Sequence, residues 1–505
     1  MPVVEIEDNG SRTKVDVPAG QTLLSTLRKA VPAYISPCGG NHTCGKCLVE
    51  AAGGLSGISE EERKLLPAGD RFRLACCVRI LGDCYVRLPH RARKQTIAKA
   101  YQAELVPGEP LYQREYGAAV DIGTTTVVVY LFRKGEKTPA AAMGKANMQR
   151  SYGSDILSRI VSCDEHSVET LQELILGQIA EMLRALCRRE GIDTGQIGGC
   201  CITGNTTMLH IFAGISPHGI SVAPFIPASL FGCTQEVDFP GIGKHLCYLP
   251  PCISAYVGGD ITCSILASGM MMRKQSAILI DIGTNGEIAL LHDGKLYCCA
   301  TAAGPAFEGA NISCGMCAQA GAIDKVWAES GELKWHILGD ARADGICGSG
   351  LIDTVYAARS AGLLDRKGRP ASGTDGLAVG NSGVVLSRKD LSELLLAKAA
   401  IRGGIETLLH VCGLPAEEIA EVVLCGGFGS YLDIDSAAGI GLVPKAFRSR
   451  TVSIGNAAGG GAGMLLQNRA MCAEADRIVS AAETVELSSN PYFTKAYVKF
   501  MNLNE

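Results

Sequence analysis

The 505-residue chain has no excess of positive charge: Lys and Arg number 47 against 51 Asp and Glu, for a net charge of −4. It therefore lacks the basic footprint of a nucleic-acid binder. No uninterrupted apolar run reaches the length that crosses a bilayer, so no membrane span is expected. The opening "MPVVEIEDNG" lacks the charged-then-apolar pattern of a signal peptide, and a cytoplasmic location is expected. There is no G-x-x-x-x-G-K-[ST], which excludes a P-loop; "GIGKHL" (241–246) fails that spacing. "GICGSG" (345–350) fits no dinucleotide fingerprint and reads as a glycine turn at a helix start. The tail holds only Cys472 and cannot host a metal cluster of its own.

What is abundant is cysteine, 22 residues in all. In a long chain without an export signal this points to metal binding or buried free thiols, not to a disulfide framework. Most sit in apolar runs such as "GGCCITGN" and "YCCATAAG" and read as small core residues. The length predicts two to four domains.

Residues 1–90 read as a small β-rich module with one helix. "PVVEIED" and "RTKVDVPAG" alternate around "NG", a hairpin signal, and "TLLSTLRKA" has helical spacing. Residues 91–115 read as a linker. From 116 strands alternate with helices, giving a first lobe over 116–272 and a second over 273–505. "YGAAVDIGTTTVVVYLF" and "QSAILIDIGTNGEIALLHDGKLYCCAT" repeat one strand–turn–strand plan, which suggests two related α/β lobes with a cleft between them. "SVETLQELILGQIAEMLRALCRREG" and "DLSELLLAKAAIRGGIETLLHVCG" read as long helices.

Two constellations carry chemistry. The first is Cys38-x5-Cys44-x2-Cys47, followed after 28 residues by Cys76 and Cys77. Three thiolates from one glycine-rich loop and one from a distant strand suit a 2Fe–2S cluster, although the plant-type pattern has one residue fewer in its first gap. Structural zinc competes, but it prefers two C-x2-C knuckles or histidine ligands, and adjacent Cys76–Cys77 is a poor chelate. Cys76 is preferred as fourth ligand because "RLAC" resembles the "LAC" ending of this ferredoxin class, with Cys77 the alternative. His42 reads as a solvated turn residue.

The second constellation is "AAVDIGTTT" (118–126) with "ILIDIGTNG" (278–286). Each delivers an Asp from an apolar strand into a tight turn with free backbone N–H groups. Such a turn cradles a phosphate while the Asp holds Mg²⁺ directly or through water. "VVLCGGFGS" (422–430) is a strand entering a glycine turn suited to a nucleoside. The bland reading is three tight turns in an α/β protein. Asn205 reads as a polar cleft contact, and His210 as a hydrogen-bonded core residue.

These three loops, in this order, resemble the phosphate-1, phosphate-2 and adenosine motifs of the actin, hexokinase and acetate-kinase superfamily. With "NMQRSYGSDILSRI", "GNTTMLH", "GPAFEGANISCGM" and "CGGFGSYLDIDSAAGIGLVP", the whole chain resembles the ATP-dependent reductive activators of corrinoid proteins. The resemblance implies a multidomain α+β and α/β chain: a β-grasp ferredoxin-like 2Fe–2S domain followed by a two-lobed actin-like ATPase. It implies ATP-dependent one-electron reduction of Co(II) to Co(I) in a partner corrinoid protein. It also implies Mg²⁺ and an external low-potential electron donor, and it is compatible with a homodimer. The roles implied are Cys38, Cys44, Cys47 and Cys76 for the cluster, and Asp121 and Asp281 for Mg²⁺ or water. Gly123, Thr124, Thr125, Thr126, Gly283, Thr284, Asn285 and Gly286 would hold phosphates, Gly426 and Gly427 adenosine. Ser313 would meet the corrinoid, unless its loop is only a turn packed inside the lobe. Plant-type centres lie near roughly −400 mV, so reducing Co(II) is uphill and ATP must close the gap. Competing readings are an ATP-driven donor to another low-potential enzyme, a small-molecule kinase with a ferredoxin appendage, and a nucleotide-gated binding protein.

Overall fold

A computed structural model describes residues 1–503 except 9, 32, 33, 35, 37, 43, 44, 67–71, 90–105, 107, 340, 341, 372, 430 and 431. Cys44 and most of the expected linker thus lie outside the described residues.

The N-terminal unit is a five-stranded sheet. Its strands are β1 (Val3–Asp8), β2 (Ser11–Asp16), β3 (Leu48–Leu55), β4 (Phe72–Leu74) and β5 (Ile80–Arg87), in the order β2-β1-β5-β3-β4. β1 and β2 pair antiparallel with Asp8 opposite Ser11, as the hairpin signal predicts. The helix Leu23–Ala30, capped by the Thr22 hydroxyl, lays Leu23, Leu24 and Leu27 on the sheet. The single expected helix is an undercount: Glu60–Leu65 forms a second, capped by Ser59. Its buried Glu62 explains why it docks. The carboxylate accepts from Arg73 Nε at 2.9 Å and from the Leu74 amide at 2.8 Å, so a charge is buried only with its partner.

Two six-stranded sheets follow. In the first, β6 (Tyr116–Ile122), β7 (Thr126–Arg133) and β8 (Ala141–Ala146) form an antiparallel meander. β9 (Ile197–Gly204) then adds parallel to β6, and β11 (Gly243–Leu249) parallel to β9, with β10 (Cys233–Phe239) at the edge. The second sheet repeats the plan. β12 (Ala277–Ile282), β13 (Gly286–His292) and β14 (Lys295–Thr301) form the meander, and Glu421–Cys425 and Thr451–Ser453 add in parallel. The repeated "DIGT" plan is thus a repeated topology, and each Asp leaves the first strand of its meander at the same place.

A shared core lies between the sheets. It joins Ala119 and Val128 of the first sheet to Leu279 and Val423 of the second through helices Gly259–Ser268 and Ala457–Gln467. The outer face of the first sheet packs on Val168–Glu190, whose end at Gly191 has left-handed φ +68°, as the spacing predicts. The outer face of the second packs on Gly348–Ser360 and Arg388–Cys412. Cys200, Cys201, Cys298 and Cys299 are buried, as their apolar surroundings predict. Among the described residues, no helix is long and apolar enough to cross a membrane.

Candidate functional site

At the cluster loop, Cys47 and Cys76 are buried and their sulfurs lie 3.3 Å apart, close enough for two thiolates to share one metal centre. Two thiols this close share a proton, which lowers Cys47 and raises Cys76 from ordinary thiol values. Cys38 is half-buried and adds its charge to the same pocket. Cys77 lies 3.7 Å from Cys76 and faces outward, its sulfur 3.0 Å from His42 Nδ1. Gly40 and Gly45 have left-handed φ of +101° and +62°. A Cβ on Gly40 would stand 3.2 Å from Leu24 Cδ2, and one on Gly45 3.1 Å from the Leu65 carbonyl. The described thiols and the close wrap of the loop fit an iron–sulfur group.

The second site is a cleft of about 380 Å³ between the lobes. β6 delivers Asp121 and β12 delivers Asp281 into it. The turn after β6 closes with the Gly123 amide donating to the Thr126 carbonyl at 3.0 Å, and a Cβ on Gly123 would sit 2.7 Å from that oxygen. The two turns face each other: Thr125 and Thr284 hydroxyls are 3.1 Å apart. Both donate to Glu308 Oε2, Thr284 at 2.8 Å. Asn205 caps its helix and donates from Nδ2 to the Thr124 hydroxyl at 3.0 Å. Asp121 accepts from Asn456 Nδ2 at 2.9 Å, and Asp281 faces the Cys425 thiol at 3.5 Å.

Gly426, Gly427 and Phe428 line the same cleft. The expected glycine turn there is a four-residue helical turn, Gly426–Gly429. A Cβ on Gly426 would lie 2.4 Å from Asp281 Oδ1, which is why this position takes glycine. Cys347, Gly348 and Ser349 line it too, at the helix start expected of "GICGSG". Gly286 does not line the cleft. It is buried in β13, and a Cβ there would meet Thr301 and Ile401. His210 is fully buried, its Nδ1 2.7 Å from the Thr206 carbonyl while Nε2 accepts from the Ser229 amide, so it is a core residue.

Asp260, Glu287, Glu308 and Asn456 were not singled out by the sequence, and all line the cleft. Burial pushes Asp121 up to about 7, Asp281 to about 6, and Asp260 to about 8, with Asp281 and Asp121 adding to the last. Glu287 is raised further by burial and by Asp260. No three of these carboxylates bring their oxygens within 4.8 Å of one another; among the described residues only His42, Cys76 and Cys77 form so tight a set. Such an acidic cleft suits a hydrated divalent cation and the phosphates it carries.

Ser313 lies outside the cleft lining and is exposed. Its amide and hydroxyl both donate to Asp390, at 2.6 and 2.5 Å, in the first turn of Arg388–Cys412. Its neighbours Phe307 and Ile312 are buried, so the loop is anchored inside while Ser313 faces out.

Comparison with known proteins agrees with this architecture. Residues 6–81 match the 2Fe-2S iron-sulfur cluster binding domain family, 116–273 the RACo middle region, and 275–505 the C-terminal ASKHA domain of RACo. The corrinoid activation enzyme RamQ of Eubacterium limosum is 31% identical over 429 residues, 78% of this chain and 71% of the relative. A reductase for the Co(II) methylated amine-specific corrinoid protein of Methanosarcina barkeri is 25% identical over 380 residues, 68% of each chain. A solved structure, the reductive activator for corrinoid, iron-sulfur protein, superposes with a TM-score of 0.71 at 29% identity, covering 99% of this chain and 98% of that one. The chain belongs to the RACo family of corrinoid activators, a ferredoxin-like domain joined to an ASKHA ATPase.

Proposed function

We propose that this chain reactivates a corrinoid protein by ATP-dependent one-electron reduction of Co(II) to Co(I). The observation that carries the reading is the union of a thiol-lined cluster loop and two facing phosphate turns in one chain whose relatives are named for corrinoid activation. A 2Fe–2S cluster would supply one-electron transfer here, and ATP the driving force.

Cys38, Cys44, Cys47 and Cys76 hold the cluster. The burial of Cys76 and its approach to Cys47 support it over Cys77, which turns to His42. Asp121 and Asp281 would hold Mg²⁺, directly or through its water shell; both line the cleft between the turns. Gly123 and Gly283 close the two turns with their own amides, and the remaining amides of Thr124–Thr126 and Thr284–Asn285 donate to phosphate oxygens. Glu308, placed between the turns by a hydroxyl from each, orients the attacking water once the phosphates take those hydroxyls. Gly426 and Gly427 take the nucleoside. Ser313, kept in one orientation by Asp390, faces the corrinoid partner. The electron enters from an external low-potential donor in the cytoplasm.

The test is one cuvette holding reduced protein, Mg²⁺, ATP and a Co(II) corrinoid protein. Co(I) absorption should grow only with ATP present. Equal growth without nucleotide refutes the reading, and net phosphorylation of an added acid or sugar favours a kinase.

A further inference from the structure

The segment Asn147–Arg159 belongs to neither site, yet it touches both. Its two ends hold three consecutive carbonyls of the first phosphate turn. The Asn147 side chain donates to Gly123 O and its amide to Thr125 O, both at 2.9 Å, and Arg159 Nη2 donates to Thr124 O. With the Gly123 amide spent on Thr126 O, tying these carbonyls back leaves the turn's remaining amides to face an anion. Between those ends, at Ser151 and Tyr152, the segment meets the cluster loop. Arg28, from the ferredoxin helix, donates to Ser151 O at 2.8 Å and to Gly39 O at 2.7 Å. Its guanidinium lies 4.5 Å from the centre of the Tyr152 ring. A Cβ on Gly39 would stand 2.8 Å from Tyr152 O, so the loop and the segment are in direct contact.

We propose that Arg28 is the positioning residue that fixes the cluster loop to the first phosphate turn, and that residues 147–159 carry nucleotide occupancy between them. This rests on the nucleotide reading above. The segment is braced from within, as such a coupling requires. Arg159 Nε also holds Gly153 O at 3.0 Å, and Ser162 holds Tyr152 O. Arg159 is fully buried, and its hydrogen bonds among the described residues go to carbonyls, Gln149 and the Met208 sulfur, not to a carboxylate. Burial lowers it to about 9. A buried cation with no carboxylate in hydrogen-bond contact is costly, Asp155 and Glu308 offset only part of that cost, and a polyphosphate on the far side of Thr124 supplies a further anion. Linkage is reciprocal, so the state of the cluster loop in turn alters nucleotide affinity.

The test uses full-length holoprotein with Mg²⁺ and AMP-PNP, reading hydrogen exchange and the visible circular dichroism of the cluster. In the wild type, exchange of residues 122–127 and of 148–153 slows by about fivefold or more, and the cluster dichroism changes. Arg28→Met keeps the cluster absorption, the basal ATPase and the slowed exchange, but loses the dichroic response. Tyr152→Leu, which removes the ring beneath the Arg28 guanidinium but leaves its bond to Ser151 O, reduces the response should Arg28→Met not hold its cluster. A dichroic response of wild-type size in the variants overturns the proposal. So does an unresponsive 148–153 segment in a wild type whose 122–127 turn is protected. If AMP-PNP leaves 122–127 unprotected, the nucleotide reading itself falls, and this one with it.

Discussion

Asp121→Asn is the sharpest probe of the acidic cleft. Burial pushes the Asp121 carboxyl from 3.8 up to about 7. Between those values the folded chain holds a proton that the unfolded chain has released. Stability therefore falls as pH rises through this window, and the full cost applies above pH 7. Each pH unit is worth about 1.4 kcal/mol, so the limit is about 4 kcal/mol at pH 8 and roughly a third of that at pH 5. Asp260 and Asp281 share the same field, so about half the limit, about 2 kcal/mol, is assigned to Asp121 alone. Asparagine escapes this cost and still accepts from Asn456. At roughly 2–4 °C per kcal/mol for a lobe of this size, Asp121→Asn should raise the thermal midpoint by roughly 5 °C at pH 8 and much less at pH 5. Scanning fluorimetry at both pH values, without added Mg²⁺, measures this. Mg²⁺ with ADP should then stabilise the wild type more than the variant, because the cation offsets a charge that only the wild type carries. A variant less stable than wild type at pH 8, or a gain equal at both pH values, would refute the reasoning.

Cys76→Ala should abolish the visible charge-transfer bands of the cluster while Cys77→Ala keeps them; loss only with Cys77→Ala would reverse the ligand assignment. Glu308→Gln should lower the ATPase kcat by about 10²–10⁴ with KM and cluster spectrum little changed, and an unaltered kcat would remove it from water activation. Glu62→Ala leaves the half-buried Arg73 with only the Ser56 and Gly57 carbonyls as partners, so the ferredoxin domain should lose about 3 kcal/mol, the low end for a broken buried pair, read as a lowered denaturation midpoint of cluster absorption. A loss below about 1 kcal/mol, the range of exposed pairs, would mean that water already reaches this one.

The legible part of the site is the part written locally. "DIGTTT" and "DIGTNG" are contiguous, and each sits between two apolar strands, so strand, Asp and turn are read together. The cluster cysteines are likewise clustered, with Cys38, Cys44 and Cys47 in one short loop. Asp260, Glu308 and Asn456 have no such signature. Asp260 opens a helix between the sheets, Glu308 follows β14, and Asn456 caps the helix that crosses back to the first sheet. Only the repeated topology brings them to one cleft. Gly286 fails for the opposite reason: it belongs to the right motif, but the turn has already closed at Asn285, where Gly283 N donates to Asn285 O at 2.9 Å. By position 286 the chain is strand, packed beneath Arg388–Cys412. The small helix Glu60–Leu65 escapes because its pattern is too short to show a period, and a single buried ion pair decides its fate.

The size of the energy gap bears on which contacts can close it. Inverting a two-state population from 1:99 to 99:1 takes about 5.5 kcal/mol, which for one electron corresponds to about 240 mV at about 59 mV per tenfold. Surface ion pairs, at about 0–1 kcal/mol each, are too weak to supply that from a few contacts. The bridge of Glu308 to Thr125 and Thr284 is of another kind. It joins the two lobes through one carboxylate, half-buried between the two turns. Hydrogen bonds to a charged group contribute about 1.5–3 kcal/mol each, so the pair amounts to about 3–6 kcal/mol, the scale required. On the proposed function, the same two hydroxyls belong to the turns that take the phosphates of ATP. Nucleotide entry and the intact Glu308 bridge are then alternatives, and the difference between them is the differential affinity on which any ATP-driven change of state must draw.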